Sequence, residues 1–188
     1  MNKREQKRVF IGIPAGDQVK STLSLLQPIV DCNSRHIKWI PLDNIHLTLS
    51  FLGDVSINKI PDIVQSVEQY IATSQFQLSI LGTGVFPLTK SPKVLWLGID
   101  KGIDELKLLH EQVVKSVRVC NDNYENNTFI PHISIARIKK GPRKIDVLPF
   151  LNSVYSKIEL DVNSISMYES KLFPEGTQYT VLDTFPLN

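Results

Sequence analysis

Apolar residues along this chain recur at two spacings, and switching between them outlines an alternating series of strands and helices. Residues 8–14 (RVFIGIP) are almost wholly apolar and predict a buried first strand. Residues 17–30 place Val19, Leu23, Leu26 and Ile29 at helical spacing, with Pro28 out of place near the end of the run. A short strand is predicted over 37–40, then a turn, then a longer strand over 45–52 closed by Gly53-Asp54. Residues 58–72 carry a second amphipathic run (Ile60, Ile63, Val64, Val67, Ile71), with Pro61 in the first turn, where its missing N–H costs nothing. There follow a strand pair over 76–86 and 93–99, a helix over 103–120 and a strand over 129–138. A helix over 145–155 and closing strands over 158–169 and 178–182, around the turn Pro174-Glu175-Gly176, complete the series.

Two of these strands share one grammar, His46-Leu47-Thr48-Leu49 and His132-Ile133-Ser134-Ile135. Strand side chains alternate between faces, so strict alternation puts His46, Thr48 and Ser50 on one face and Ile45, Leu47, Leu49 and Phe51 on the other. In the second strand His132, Ser134 and Ala136 oppose Ile133 and Ile135. The aliphatic faces are core faces, which leaves an imidazole and a hydroxyl on each free face. One such copy is ordinary strand surface, but two copies on matched strands point to a pair of proton-transfer groups. The remaining histidines, His36 before a short strand and His110 within a helical pattern, lack this context and are expected to be structural or solvent-facing. Each motif strand is followed by a loop and an aliphatic helical run, INKIPDIVQSV and RKIDVLPFLNSV. The expected architecture is therefore a pseudo-symmetric α+β protein of two lobes. Each lobe is a mostly antiparallel sheet flanked by helices, and the motifs face a central cleft. No low-complexity linker divides the halves, so residues 1–188 are expected to form one unit of two intertwined lobes.

Composition narrows the function more than the fold. Hydrophobic residues are 42% and charged residues 21%, as in soluble globular proteins, and the net charge of +2 does not announce a polyanion partner. Distribution says more: Arg137, Lys139, Lys140, Arg143 and Lys144 follow the second motif, and Lys3, Arg4, Lys7 and Arg8 form a smaller basic group. Cys32 and Cys120 have neither zinc nor disulfide-framework spacing. No acidic residue sits in either motif to bind a metal, which favours a metal-free mechanism, and no cofactor is expected. No apolar run is long enough for a membrane span and the N-terminus is not a signal peptide, so a cytoplasmic monomer is expected.

The stretches RVFIGIP, IKWIPLDNIHLTLSFLGD, GVFPLTKSPKVLWLGI, FIPHISIARI and MYESKLFPEGTQYTVLDTFPL resemble, in order and over nearly the whole chain, the 2H phosphoesterase superfamily. Within it the likeness is to bacterial and archaeal RNA 2′,3′-cyclic phosphodiesterases, historically called 2′-5′ RNA ligases. The resemblance implies a bilobal fold and an RNA or nucleotide substrate ending in a 2′,3′-cyclic phosphate. It implies catalytic roles for His46, as proton donor, and His132, as proton acceptor, and phosphate or substrate binding by Thr48, Ser134 and Arg137. Ser134 stands where this group usually has Thr, which removes a methyl and keeps the hydroxyl donor. Arg137 falls on the face opposite His132 by strict alternation, so it must reach the site through a strand end, a bulge or a twist. Rival readings are a 2H esterase for another cyclic phosphate, such as ADP-ribose 1″,2″-cyclic phosphate, and an RNA-binding module without catalysis. Phe10, Phe51, Trp96 and Tyr168 are candidates to stack on a base, though core packing is the commoner use of such residues.

Overall fold

The computed structural model describes residues 5–30, 36–88, 91–121, 124, 128–139, 145–174 and 176–188. Of the residues singled out above, Lys3, Arg4, Cys32, Lys140, Arg143, Lys144 and Glu175 lie outside them. The strands are Gln6–Pro14 (β1), Ile37–Trp39 (β2), His46–Ser56 (β3), Phe76–Phe86 (β4), Val94–Lys101 (β5), His132–Ile138 (β6), Ile158–Val162 (β7), Ser164–Phe173 (β8) and Gly176–Pro186 (β9). The helices are Gly16–Leu26 (α1), Ile60–Tyr70 (α2), Ile103–Cys120 (α3) and Leu148–Leu151 (α4).

The strands pair antiparallel in the order β7-β4-β5-β6-β3-β1-β8-β9, with β2 pairing β6 off this path. That order is a palindrome about the β6–β3 seam, where Leu47 pairs with Ile133. A pseudo-twofold relation through this pair matches β3 with β6, β1 with β5, β8 with β4 and β9 with β7. The α+β class is as the sequence implied. The two expected sheets meet at the seam and run on as one nine-stranded sheet. The halves are also interlaced. β4 follows the first motif yet pairs with β5, while β8 follows the second motif yet pairs with β1.

Several element boundaries differ from the sequence reading, each for a local reason. α1 ends at Leu26 and tightens into a 3₁₀ turn over Gln27–Ile29, because Pro28 cannot continue the α-helical hydrogen bonding. β3 runs through Gly53, whose φ of 72° lets the chain bulge rather than stop. β6 starts only at His132, after Pro131, which has no N–H for a ladder. The helix expected over 145–155 is one turn, α4, with Pro149 inside its first turn and no room for helix before it. The strand expected over 158–169 is two strands broken at Asn163. β7 pairs with β4 and β8 with β1, so the break lets the chain pass from one lobe to the other.

One face of the sheet is the core. Ile11, Ile13, Leu47, Leu49, Leu95, Leu97, Ile133 and Ile135 lie in a single buried cluster with Leu106, Leu109, Val113 and Val117 of α3. Leu47 and Ile133 have no solvent exposure at all. Leu47→Ala should therefore cost about 2–5 kcal/mol of stability. Urea unfolding measures this, and a loss below about 1 kcal/mol would show that the seam does not depend on this side chain.

Candidate active site

The face of the sheet turned away from the core carries a second set of residues. His46 and Thr48 project there from β3, and His132 and Ser134 from β6, each partly exposed between buried aliphatic neighbours. Antiparallel pairing at Leu47 and Ile133 sets Thr48 across from His132 and His46 across from Ser134. The two motifs thus meet at the seam as a reciprocal pair.

Alternation then fails in both strands, at the same step. β3 pairs Thr48 with Gly12 and Ser50 with Ile11, which leaves Leu49 as an extra residue. β6 pairs Ser134 with Trp96 and Ala136 with Leu95, which leaves Ile135 extra. A bulge that inserts one residue exchanges the faces of everything after it. Ala136 is therefore buried with Leu95 in the core, and Arg137 comes round to the face of His132. The conflict between Arg137 and strict alternation is resolved by this bulge. In β3 the same exchange corrects two expectations. Ser50 is only 4% exposed and hydrogen-bonds the Tyr124 hydroxyl at 2.5 Å, whereas Phe51 is 58% exposed and packs 5.7 Å from Phe10. Ser50, expected beside His46, faces inward, and Phe51, expected in the core, faces out.

Each bulge leaves a carbonyl without a ladder partner, and each receives a donor from elsewhere. His110 Nδ1 donates to the Leu49 carbonyl at 2.8 Å, and the Ile40 N–H donates to the Ile135 carbonyl at 2.9 Å. His110 is structural, as expected. It is buried, stacks on Phe129 with centroids 4.2 Å apart, and so ties the first bulge to the segment leading into His132. His36 lies before β2, and its carbonyl accepts from the Lys139 N–H.

The two motif histidines are held alike. His46 Nδ1 donates to the Asn44 carbonyl at 2.8 Å and His132 Nδ1 donates to the Ile130 carbonyl at 2.7 Å, each two residues upstream. A carbonyl only accepts, so Nδ1 keeps the proton and Nε2 is left for chemistry. Aromatic rings surround both. Phe10, Tyr179 and Tyr168 lie 4.6, 5.2 and 6.2 Å from His46, and Phe86 and Trp96 lie 4.9 and 6.2 Å from His132. Gly12 makes the first packing possible: a Cβ there would stand 2.7 Å from the Leu47 carbonyl and 3.3 Å from His46 Cδ2.

Burial pushes the His46 imidazole down to about 4. The Asn44 bond opposes that shift, while the nearby His132 and Arg137 add to it. Burial also lowers His132, against the Ile130 bond. Arg137 is felt by Tyr179 as well, whose hydroxyl is raised by burial and pulled back by Arg137 and Arg8. All five residues named from the sequence thus share one face and one electrostatic neighbourhood. Two cavities flank them. One of about 150 Å³ is lined by Thr48, Phe51, Ile130 and His132, and one of about 230 Å³ by Lys38, Trp39, Arg137, Phe173 and Tyr179.

Of the remaining basic groups, Lys7 is committed to Glu169 at 3.0 Å. Among the described residues no three His, Cys, Asp or Glu side chains converge as a metal site requires, and no helix is long and apolar enough to cross a membrane. The sequence reading put Phe51 on the core face and gave His110 no particular contact. A bulge has no sequence signal in a run such as HLTLSF, so strict alternation misplaced Phe51, and His110 has only helical spacing to mark it.

Known proteins match this chain along nearly its whole length. A family model described as LigT-like phosphoesterase matches residues 13–96. A protein of Thermotoga maritima named RNA 2′,3′-cyclic phosphodiesterase is 32% identical over 176 residues, 93% of this chain and 92% of its own. One of Aquifex aeolicus with the same name is 30% identical over 187 residues, 96% of this chain and 97% of its own. The crystal structure of TT0787 of Thermus thermophilus superposes with a TM-score of 0.81 at 26% identity, covering 96% of this chain and 97% of that one. With identity at this level across more than nine tenths of its length, the chain belongs to the LigT-like phosphoesterase family.

Proposed function

We propose that the protein opens the 2′,3′-cyclic phosphate at the end of RNA or of a nucleotide, leaving a 2′-phosphate, and that residues 1–188 act as one catalytic unit of two lobes. The observation that carries this reading is the matched pair of imidazoles. Both have Nδ1 tied to a backbone carbonyl and, among the described residues, no hydrogen-bond partner at Nε2, on either side of one seam. His132, neutral at Nε2, takes the proton of the attacking water. His46, charged, gives its Nε2 proton to the departing O3′. Thr48 and Ser134 donate their hydroxyls to the non-bridging oxygens as charge builds there, and Arg137 holds the phosphate. Water supplies the nucleophile and the two imidazoles supply and accept the protons, so the reaction needs no cofactor. With a 5′-hydroxyl attacking in place of water and O3′ again departing with a proton, the same site joins RNA ends through a 2′-5′ linkage without ATP, since the strained cyclic ester is already activated.

His46→Ala and His132→Ala should each lower kcat/KM for a 2′,3′-cyclic nucleotide roughly 10²–10⁴-fold. Near-full turnover by either would end the two-histidine reading. The roles separate with a substrate carrying sulfur in place of O3′, which departs without needing a proton. That substrate should restore turnover to His46→Ala and leave His132→Ala inactive; the opposite pattern exchanges acid and base.

The depressed His46 pKa makes a further prediction. In the free protein His46 is neutral at pH 7 and titrates at about 4. A bound phosphate anion favours the imidazolium and must raise that value. By linkage, binding takes up a proton between the two values, and the His46 contribution to affinity for a 2′-nucleotide grows as pH falls from the raised value towards about 4, where the free ring is itself charged. NMR titration of the His46 ring with and without 2′-AMP checks this. An unchanged midpoint would remove His46 from contact with the phosphate.

A further inference from the structure

Asn44 meets His46 from two directions. Its carbonyl accepts from His46 Nδ1 at 2.8 Å, and its side-chain amide donates to the Thr177 carbonyl at 2.7 Å, 133 residues further along the chain. Thr177 lies near the start of β9, and Tyr179, two residues on, sets its ring edge-on to His46 with centroids 5.2 Å apart. The turn that carries Asn44 does not need the long bond for itself. The Asn44 N–H donates to the Pro41 carbonyl at 2.9 Å, and the Ala15 N–H donates to the Ile45 carbonyl at 3.1 Å, so the turn is secured by backbone alone. What the amide fixes is the approach of the β8–β9 hairpin to the imidazole.

The other half of the pseudo-twofold frame has no such arrangement. Ile130, which holds His132 Nδ1, has an apolar side chain with nothing to donate. β7, the counterpart of β9, pairs with β4 only from Phe76 to Ile80 and stops short of Phe86, the ring edge-on to His132. β9 instead pairs with β8 along its whole length, from Gly176 to Pro186. The extra length sets Thr177 and Tyr179 beside the first motif. The two imidazoles are thus alike in their Nδ1 bonds and unlike in what confines the ring.

We propose that Asn44 is a positioning residue for His46: its amide clamps the β8–β9 hairpin to the turn, so that the Asn44 carbonyl and the Tyr179 ring hold the imidazole from two sides and keep Nε2 aimed at the departing O3′. The kinetic consequence rests on the reading of the reaction given above, whereas the clamp itself does not. A proton donor must stay within hydrogen-bond reach of the leaving oxygen, and a misplacement of about 1 Å costs on the order of a hundredfold.

Asn44→Ala and Asn44→Leu, the second close to Asn in size, both remove the donor. NMR titration of the two imidazoles reads the clamp without any reaction. Burial is the largest cause of the low His46 value, so a hairpin released from the turn admits water. The His46 midpoint should then rise from about 4 towards its ordinary value while that of His132 stays in place, which also reports an intact fold. In turnover, kcat for 2′,3′-cyclic AMP should fall about tenfold to a hundredfold with little change in KM. The substrate carrying sulfur in place of O3′ should be opened as fast as by wild type. A His46 midpoint unmoved in both variants overturns the proposal. So do midpoints of both histidines moving together, or an equal fall on the oxygen and sulfur substrates when sulfur does restore His46→Ala. If sulfur restores His132→Ala instead, the acid reading falls, and a raised His46 midpoint still upholds the clamp.

Discussion

One extra residue in each motif strand governs this site. Without the bulges at Leu49 and Ile135, Arg137 would lie in the core and Phe51 would be buried beneath the sheet, and the histidine face would carry only imidazoles and hydroxyls. An unpaired carbonyl inside a protein costs about 1–3 kcal/mol if nothing satisfies it. The fold supplies a partner to each: a side chain, His110, in one half and a backbone N–H, Ile40, in the other. Pseudo-symmetry has kept the bulge and changed its support. The second change lies at the position each bulge exposes, a phenyl ring in one half and a guanidinium in the other, and it gives a nearly symmetric frame two unlike ends.

The same frame sets the proton chemistry. Two imidazoles packed among Phe10, Tyr179, Phe86 and Trp96 lose hydration that would stabilise their charged forms, so both are driven towards neutrality. For His46, the proximity of His132 and Arg137 deepens that preference. In the proposed reaction, an anion between the two rings would reverse the balance, because its charge would offset the lost hydration of one imidazolium. The carbonyl bonds at Nδ1 matter in both states: they fix the tautomer when a ring is neutral and still accept when it is charged. On the reaction proposed above, the aromatic packing that lowers the pKa values in the free protein would also confine protonation to the phosphate-bound site.

The sequence by itself determined the inventory: which runs are strands or helices, the two His-x-Thr/Ser motifs, and the α+β frame with one motif per lobe. These follow from local periodicity, because burying one face forces period two on a strand and a period of three to four on a helix. It also contained Arg137, though on the wrong face. What only the tertiary structure decided is which side chains after each motif reach the cleft. A bulge is chosen by the register of neighbouring strands and by distant donors such as His110, not by the residues inside it, so nothing local in HLTLSF or HISIAR announces it. Nor could local pattern show that 158–169 is two strands serving opposite lobes, since that break answers to partners β4 and β1, far away in the chain. Periodicity reports a residue's own environment, whereas register is a property of pairs, and the pairs form only when the chain closes on itself.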